Sequence, residues 1–385
     1  MNSTCVPDVG YFDSPDFLSL VLHTNTVIST PLHLFGFFCI LRKTPEAMKS
    51  ARNYLCNLHC WIVLFDYSFS ILTIPFLLIP HFAGYPLGVL SYFDISVLFQ
   101  ITMVFVFLGN MLVAITFLFE SRFYIVCTFA GKDHWQKWRW VWIGSFHFIS
   151  TSITMSFVFL APEQETAKRN MFMVRFAMSN VSCNDWEPYC TMVIWYCDYD
   201  GTTKLCYYGI MVFFMVLRFQ KLPCLPQHIY LENNFVLTED ITYHLLVCVS
   251  FCLIYGAQSL GFAFGLIWNS INLLKNQKMS PNTFELQKKF LIAISVQCLV
   301  PIVTFAVPAI YLWVAVASYY YNQAFTNFSV SLLSMHGFMS SLVMIIVHRP
   351  YRSALLDLFK KKESGSEENS RQWFRYQRTV VVEPI

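Results

Sequence analysis

Long apolar segments without charge constrain this 385-residue chain more than any other feature. Seven stretches reach the length of about 20 residues that one helix needs to cross a bilayer core. Between them they hold one Asp, Glu, Lys or Arg, namely Asp66, and they run over 17–41, 55–80, 95–119, 140–161, 241–268, 290–316 and 328–347. Lipid offers backbone groups no hydrogen-bond partner, and the alternating strands of a barrel are absent. The sequence therefore predicts an all-α membrane protein, a bundle of seven transmembrane helices.

The composition excludes several other classes of protein. Charged residues make up 13% of the chain, about half the share of a soluble domain. The net charge of +3 gives no nucleic-acid footprint. The histidines and cysteines form no metal-ligand spacing, and no catalytic constellation or phosphate-binding glycine loop occurs. We therefore expect a non-enzymatic protein without metal or cofactor, whose constant partner is the lipid bilayer.

The basic residues orient the predicted bundle. Twenty of the 26 Lys and Arg residues fall in the three loops on one side or in the tail after residue 347, and the other six lie between Lys168 and Lys221. Because basic loops stay in the cytoplasm, this asymmetry predicts an outer N-terminus (1–16) and a cytoplasmic tail (348–385). The glycosylation sequons at Asn2, Asn180 and Asn327 all fall outside in this orientation, and we expect glycans there.

A series of short motifs follows the spans in order. They are 29–36 (STPLHLFG), 39–45 (CILRKTP), 48–50 (MKS), 57–59 (NLH), 83–88 (AGYPLG), 162–164 (PEQ), 222–226 (LPCLP) and 348–352 (HRPYR). From about residue 17 to 362 the chain resembles the nematode serpentine chemoreceptors of class H. The resemblance implies a G-protein-coupled chemosensory receptor of the plasma membrane, typically in the cilia of sensory neurons, with a small-molecule ligand and a heterotrimeric G protein as partners. A seven-helix ligand-gated channel or a transporter stays as the alternative.

The segment 174–220 does not fit that resemblance, because family members pass from the PEQ to the LPCLP motif in a short loop. One hypothesis is a translated intron: Val174 to Phe176 can be encoded by a donor-like sequence, and Phe219 to Gln220 by an acceptor-like one. The alternative is a real extracellular insertion, whose cysteines at 183, 190, 197 and 206 can form disulfides. Sequencing the transcript across codons 160–235 distinguishes the two.

Two charged elements are candidates for switching. Asp66 lies inside the second span, where a charge is costly and usually faces the bundle interior, so we expect an intramembrane switch or ion site; a hydrogen-bonded packing role is the alternative. Glu120 and Arg122 lie at the inner end of the third span and resemble the acidic–x–Arg position of receptors at large. That resemblance implies an Arg122 that pairs with Glu120 at rest and reaches the G protein when active; otherwise both charges simply mark the membrane interface.

The segment after the seventh span predicts a short amphipathic eighth helix. Pro350 can end the preceding helix, and 353–362 then places apolar residues on one face and Lys360 to Lys362 near lipid headgroups. We expect His348, Pro350, Tyr351 and Arg352 to take part in G-protein coupling together with Glu120 and Arg122.

The outer side contains candidate residues for a disulfide and for a ligand pocket. Cys5 and Cys224 are the outer cysteines left once 174–220 is set aside, and the oxidising exterior allows them to pair. Receptor pockets open outward between helices, with aromatic walls and a few polar groups. On depth alone, the candidate ligand residues are Tyr85, Tyr92, Asp94, Tyr255, Gln258, Tyr311 and Trp313.

Overall fold

The computed structural model describes residues 10–357 except 45, 47–48, 81, 128, 169–233, 239–241, 277–279 and 319. The described chain is mostly helical. Its helices are α1 Pro15–Arg42, α2 Lys49–Tyr67, α3 Val97–Val126, α4 Lys132–Met155, α5 Phe157–Leu160, α6 Thr242–Lys275, α7 Pro281–Pro301, α8 Val307–Ala317, α9 Gln323–Ser334 and α10 His336–Val347. Three short strands, β1 Pro75–Leu78, β2 Ala83–Pro86 and β3 Phe235–Val236, form a small antiparallel sheet.

Six helical segments in the described residues are long and apolar enough to cross a membrane. They are Pro15–Arg42, Ala51–Thr73, Val97–Ile125, Lys132–Leu160, Leu246–Leu273 and Gln323–Val347. The sixth predicted span is different, because only the shorter segment Val303–Val316 is an apolar helix. A π-helix over Ile302–Ala306 separates α7 from α8 there, directly after Pro301. Proline removes a helical hydrogen bond, so the interruption has a local cause.

Several helix ends differ from the ends of the predicted spans. The second span does not continue to residue 80: α2 passes into a π-helix over Ser68–Thr73 and the chain then enters β1. Pro75 therefore begins a strand instead of kinking a helix. The third span reaches Val126, so Glu120 and Arg122 lie within α3 and not at its end. The fourth begins at Lys132, which places Arg139 inside α4.

The mostly helical architecture agrees with the expected helical membrane protein, but a small hairpin, β1–β2, also belongs to the core. Its register pairs Pro75 with Pro86 and Leu78 with Ala83, and β3 pairs with β2. Phe76, Leu78 and Tyr85 are buried against Leu18 and Leu22 of α1 and against residues of α2 and α9. The Gln164 side chain holds β3 by accepting a hydrogen bond from the Val236 amide at 2.9 Å and donating to its carbonyl at 3.1 Å. The hairpin thus closes one end of the bundle.

A second buried cluster fills the opposite end of the bundle. It joins Cys39 and Ile40 of α1 to Leu55 of α2 and to Ile345 of α10, together with Tyr351 beyond the last span. The helices α1, α2, α3 and α10 therefore share one continuous interior, with α4 and α6 packed against α3.

A substitution at Gly84 can test how the hairpin packs. A Cβ atom at this position would lie 2.3 Å from the Phe76 carbonyl oxygen, so Gly84→Ala must push β2 away from β1. We expect the substitution to lower the melting temperature of the purified protein by several degrees, about 1–3 kcal/mol of stability. Gly144→Ala is the matched control, because nothing lies within 4 Å of a Cβ there. Equal melting temperatures for the two variants would show that the hairpin does not pack as described.

Candidate functional site

Asp66 is the centre of a buried hydrogen-bonded cluster between the helices. Its Oδ2 accepts from the Ser29 hydroxyl at 3.0 Å and lies 2.8 Å from His33 Nε2. The side chains of His33 and Asp66 are 1% and 0% exposed. Ser29 and His33 are four residues apart, so one face of α1 presents both groups to α2. A buried acid surrounded by donors is the arrangement that a carboxylate requires inside a membrane.

The same cluster reaches α10. His33 Nδ1 lies 2.9 Å from the Ser341 hydroxyl, so one imidazole connects the Asp66 carboxylate to α10. A Cβ at position 337 would lie 2.6 Å from Asp66 Oδ2, which means that Gly337 lets the α10 backbone approach the carboxylate. Among the described residues, none donates a hydrogen bond to the second carboxylate oxygen, Oδ1.

Further polar contacts continue from this cluster to α9 and to the sixth span. Asn25 donates to the Ser334 carbonyl at 2.7 Å, and Thr26 donates to the Ser70 hydroxyl at 2.9 Å. In the sixth span, Thr304 lies 3.0 Å from His336 Nδ1. Polar side chains therefore link spans 1, 2 and 7 around Asp66, and a separate contact links span 6 to span 7.

Every one of these four spans is irregular near the cluster. Pro31 lies inside α1 between Ser29 and His33, and the π-helix Ser68–Thr73 begins two residues after Asp66. Thr304 belongs to the π-helix Ile302–Ala306. In the seventh span, α9 ends at Ser334 and α10 begins at His336, so the helix is interrupted at Met335. Local π-helical turns are frequent at functional sites, and breaks in a helix allow its two halves to move separately. The cluster therefore lies where each span is easiest to bend.

A second buried charged group lies near the C-terminal end of α3. Arg139 of α4 donates through Nε to both oxygens of Glu120 at 2.9 Å, and through Nη2 to Oε2 at 2.8 Å. Trp135 Nε1 also donates to Glu120 Oε1 at 2.8 Å. The partner that the sequence suggested for Glu120 was Arg122, and the structure gives Arg139 instead. Residues two apart on a helix lie about 200° apart around its axis, so Glu120 and Arg122 face different sides.

Arg122 lies close to the junction after the last span. Arg122 is 8% exposed. Two effects lower the pKa of His348 to about 4: first the burial of His348, and second the positive charge of Arg122. His348 is therefore neutral at neutral pH. Its ring lies 5.3 Å from that of Tyr351, which is fully buried and hydrogen-bonded to the Thr44 hydroxyl at 2.8 Å. Burial raises the Tyr351 pKa, with the Thr44 hydrogen bond acting against it.

The chain bends at His348 and residues 349–357 are again helical. α10 ends at Val347, and Pro350 lies in the first turn of the C-terminal helix, where proline is well tolerated. Arg352 is exposed, and its Nη1 donates to the Ile346 carbonyl at 2.9 Å. Tyr351 and Ala354 face the core. Residues 358–362 of the expected eighth helix lie outside the described residues.

The seven candidate ligand residues are not brought together. Tyr85 of β2 is buried against Phe76, and Tyr255 of α6 is buried against α3. Tyr311 donates to the Asn322 carbonyl at 3.2 Å, at the end of α8. The others are partly buried or exposed: Gln258, Asp94, Tyr92 (82%) and Trp313 (50%). Depth along a span predicts the level at which a residue lies, but it does not determine which side of the helix the side chain occupies.

One predicted glycosylation site lies in the interior. Asn327 is fully buried in α9, where its Nδ2 donates to the Phe12 carbonyl at 2.8 Å and its Oδ1 accepts from Gln323 at 3.1 Å. Because this amide makes internal hydrogen bonds, we now expect Asn327 to carry no glycan. Asn2, Asn180, Cys5 and Cys224, together with 174–220, lie outside the described residues.

Comparison with known proteins identifies relatives over nearly the whole chain. A family model described as serpentine type 7TM GPCR chemoreceptor Srh matches residues 13–219 and 215–361. Serpentine receptor class H-72 of Caenorhabditis elegans is 22% identical over 363 residues, which cover 94% of this chain and 91% of that protein.

The His33–Asp66 contact can be tested with a double-mutant cycle. His33→Leu and Asp66→Leu each leave a buried polar partner unsatisfied, which costs about 1–3 kcal/mol. We expect both single variants to melt at lower temperature, while the double variant loses less than the sum by about 0.5–3 kcal/mol. His23→Leu, which changes an exposed histidine of the same helix, is the control. Additive losses would contradict the contact.

The burial of Asn327 makes a second expectation testable. Ser329→Ala removes the sequon while it keeps the Asn327 amide, because the Ser329 hydroxyl only donates to the Phe325 carbonyl in its own helix. We expect the variant expressed in eukaryotic cells to show the electrophoretic mobility of the wild type, both before and after enzymatic deglycosylation. A faster band before deglycosylation would mean that Asn327 carries a glycan.

Proposed function

This chain belongs to the Srh family of serpentine seven-transmembrane chemoreceptors, and from that premise we propose that it detects a small molecule at the cell surface and activates a heterotrimeric G protein. The family is one of multi-pass membrane receptors, which supports a non-enzymatic role. The proposal includes an outer N-terminus, an inner tail and a place in the plasma membrane, including the cilia of chemosensory neurons. The distribution of basic residues supports that orientation.

The observation that carries the mechanism is the Asp66 cluster. A receptor must transmit a binding event from one end of its bundle to the other, and a ligand can only do so by favouring one of two states. The cluster joins spans 1, 2 and 7 near an irregular stretch of each, and Thr304 of span 6 contacts His336 of span 7. Asp66 Oδ1 accepts no hydrogen bond from the described residues, and an unsatisfied buried oxygen is costly. In the proposal, ligand binding favours a second arrangement of the helices in which this oxygen accepts a hydrogen bond.

The hairpin β1–β2 suggests where the ligand acts. Its core residues Phe76 and Tyr85 contact α1, α2 and α9, which are the helices that lead to Asp66. The Gln323 amide also donates to the Leu77 carbonyl at 2.9 Å, which attaches the hairpin to the beginning of α9. A ligand that displaces or tightens the hairpin shifts the outer ends of these helices. In the proposal, Tyr85 is the one of the candidate ligand residues best placed to report binding.

The inner side offers the surface for the G protein. Arg122 and His348 lie together between α3 and the end of α10, and Arg352 is exposed on the C-terminal helix. Tyr351 is buried, so its role is to attach that helix to the end of α1 through Thr44 and not to contact a partner. We therefore assign direct contact to Arg352, and to Arg122 when the inner ends of the helices separate.

Heterologous expression tests the proposal without knowledge of the ligand. Cells that express the full chain with an N-terminal epitope are exposed to a library of volatile and water-soluble small molecules, while G-protein dissociation is recorded. We expect at least one compound to give a response that Asp66→Asn lowers by about 5–150-fold in potency, the usual range of coupling between sites.

The controls separate surface delivery and other mechanisms from coupling. Responses are compared at equal surface density, measured with antibody on intact cells, which also tests the outer N-terminus. His23→Asn, at an exposed position of α1, should respond like the wild type. A ligand-evoked membrane current that persists while G proteins are blocked would refute the receptor proposal and favour a ligand-gated channel.

A further inference from the structure

The pair formed by Glu120 and Arg139 is more enclosed than an ion pair at a membrane boundary needs to be. Glu120 is fully buried and the Arg139 side chain is 10% exposed. All three guanidinium contacts and the Trp135 contact fall between 2.8 and 2.9 Å, so the carboxylate accepts from two side chains of α4. Trp135 and Arg139 are four residues apart and therefore share one face of that helix.

Aromatic rings surround the guanidinium group. Its centre lies 4.5 Å from the ring of Tyr124, 5.2 Å from that of Tyr54 and 5.8 Å from that of Trp140. Planar guanidinium groups stack on aromatic faces and bind carboxylates with two parallel hydrogen bonds, a geometry that lysine cannot reproduce. The group thus connects α2, α3 and α4 at a single position.

The same cluster reaches the loop between α3 and α4. Lys132 Nζ lies 5.0 Å from the centroid of the Tyr124 ring and donates to the Cys127 carbonyl at 3.0 Å, which closes the loop. Tyr124 therefore contacts both the Arg139 pair and the first residue of α4. The position of this loop depends on the pair.

Glu120 cannot act as the resting partner of Arg122 while this arrangement holds. Its two oxygens are occupied by α4, and Arg122 faces His348 on another side of α3. Removing one member of a buried pair leaves the other charge uncompensated, which is far more costly than opening an exposed pair. A contact of that kind suits a permanent support better than a switch.

We propose that Arg139 is a positioning residue for G-protein coupling. Together with Glu120 it forms a clamp that stays closed in the resting and active states and fixes the loop between α3 and α4 as part of the G-protein surface. Arg122 is then the charge of α3 that meets the partner. This inference rests on the proposed function, because it names how that function's inner surface is held.

Binding of nucleotide-free heterotrimeric G protein to the purified full-length receptor in nanodiscs tests the clamp. We expect Arg139→Gln and Glu120→Gln each to weaken binding by about tenfold or more, with the double variant no weaker than either single one, because the two residues act as a unit. Arg139→Lys, which keeps the charge but loses the two-pronged contact, should bind with intermediate affinity. Lys137→Gln changes an exposed basic residue of the same helix and should bind like the wild type.

The outcomes that overturn the inference are distinct. Variants of Arg139 that bind as well as the wild type would show that the clamp has no part in coupling. Tighter binding by Arg139→Gln would mean that the pair is a latch that opens on activation. If Arg139→Gln does not fold, Arg139→Lys alone decides, since its melting temperature and its affinity are measured on the same sample. A wild-type receptor that binds no G protein would instead overturn the proposed function.

Discussion

The carboxylate of Asp66 determines how the centre of this bundle is built. A charge in the middle of a membrane is tolerated only among polar partners, and the second helix cannot supply them from its own face. The partners come from α1, whose Ser29 and His33 contact the carboxylate directly, and from α10, whose Gly337 allows a close approach. Three helices must therefore meet at one depth, and the hydrophobic clusters at either end follow from that alignment.

A second buried acid organises the contact between α3 and α4 in a different way. Both oxygens of Glu120 accept hydrogen bonds from an arginine and a tryptophan of the neighbouring helix α4. Aromatic rings surround the guanidinium group of that arginine. The Asp66 cluster is less complete, because one carboxylate oxygen accepts nothing from the described residues. The two sites thus differ in their pairing: both oxygens of Glu120 accept hydrogen bonds from α4, whereas at Asp66 only Oδ2 has a partner among the described residues. In the function proposed above, the Glu120 pair stays fixed while the Asp66 cluster rearranges.

Hydropathy and charge predicted much of this arrangement, and their failures have physical reasons. Asp66 was identified because it is the only charge in the predicted spans, but its partner His33 lies 33 residues away, and a tertiary contact leaves no local pattern. The hairpin at Pro75 was missed because a buried strand and a membrane helix are equally apolar. Arg139 was counted as a loop charge, since a rule based on sequence position cannot tell a buried arginine from an exposed one. The spacing of Trp135 and Arg139 was the available signal.

Distance measurements between α2 and the C-terminal helix would test most directly whether the Asp66 cluster controls the bundle. Spin labels can be introduced as unnatural amino acids at Asn53 of α2 and Ser353 of the C-terminal helix, which are both exposed. If the cluster ties α2 to α10, the distance distribution in nanodiscs is narrow in the wild type, and in Asp66→Asn it becomes broader or shifts by several ångströms. Identical distributions in both proteins would contradict the account, because these helix ends would then keep their positions without the Asp66 side chain.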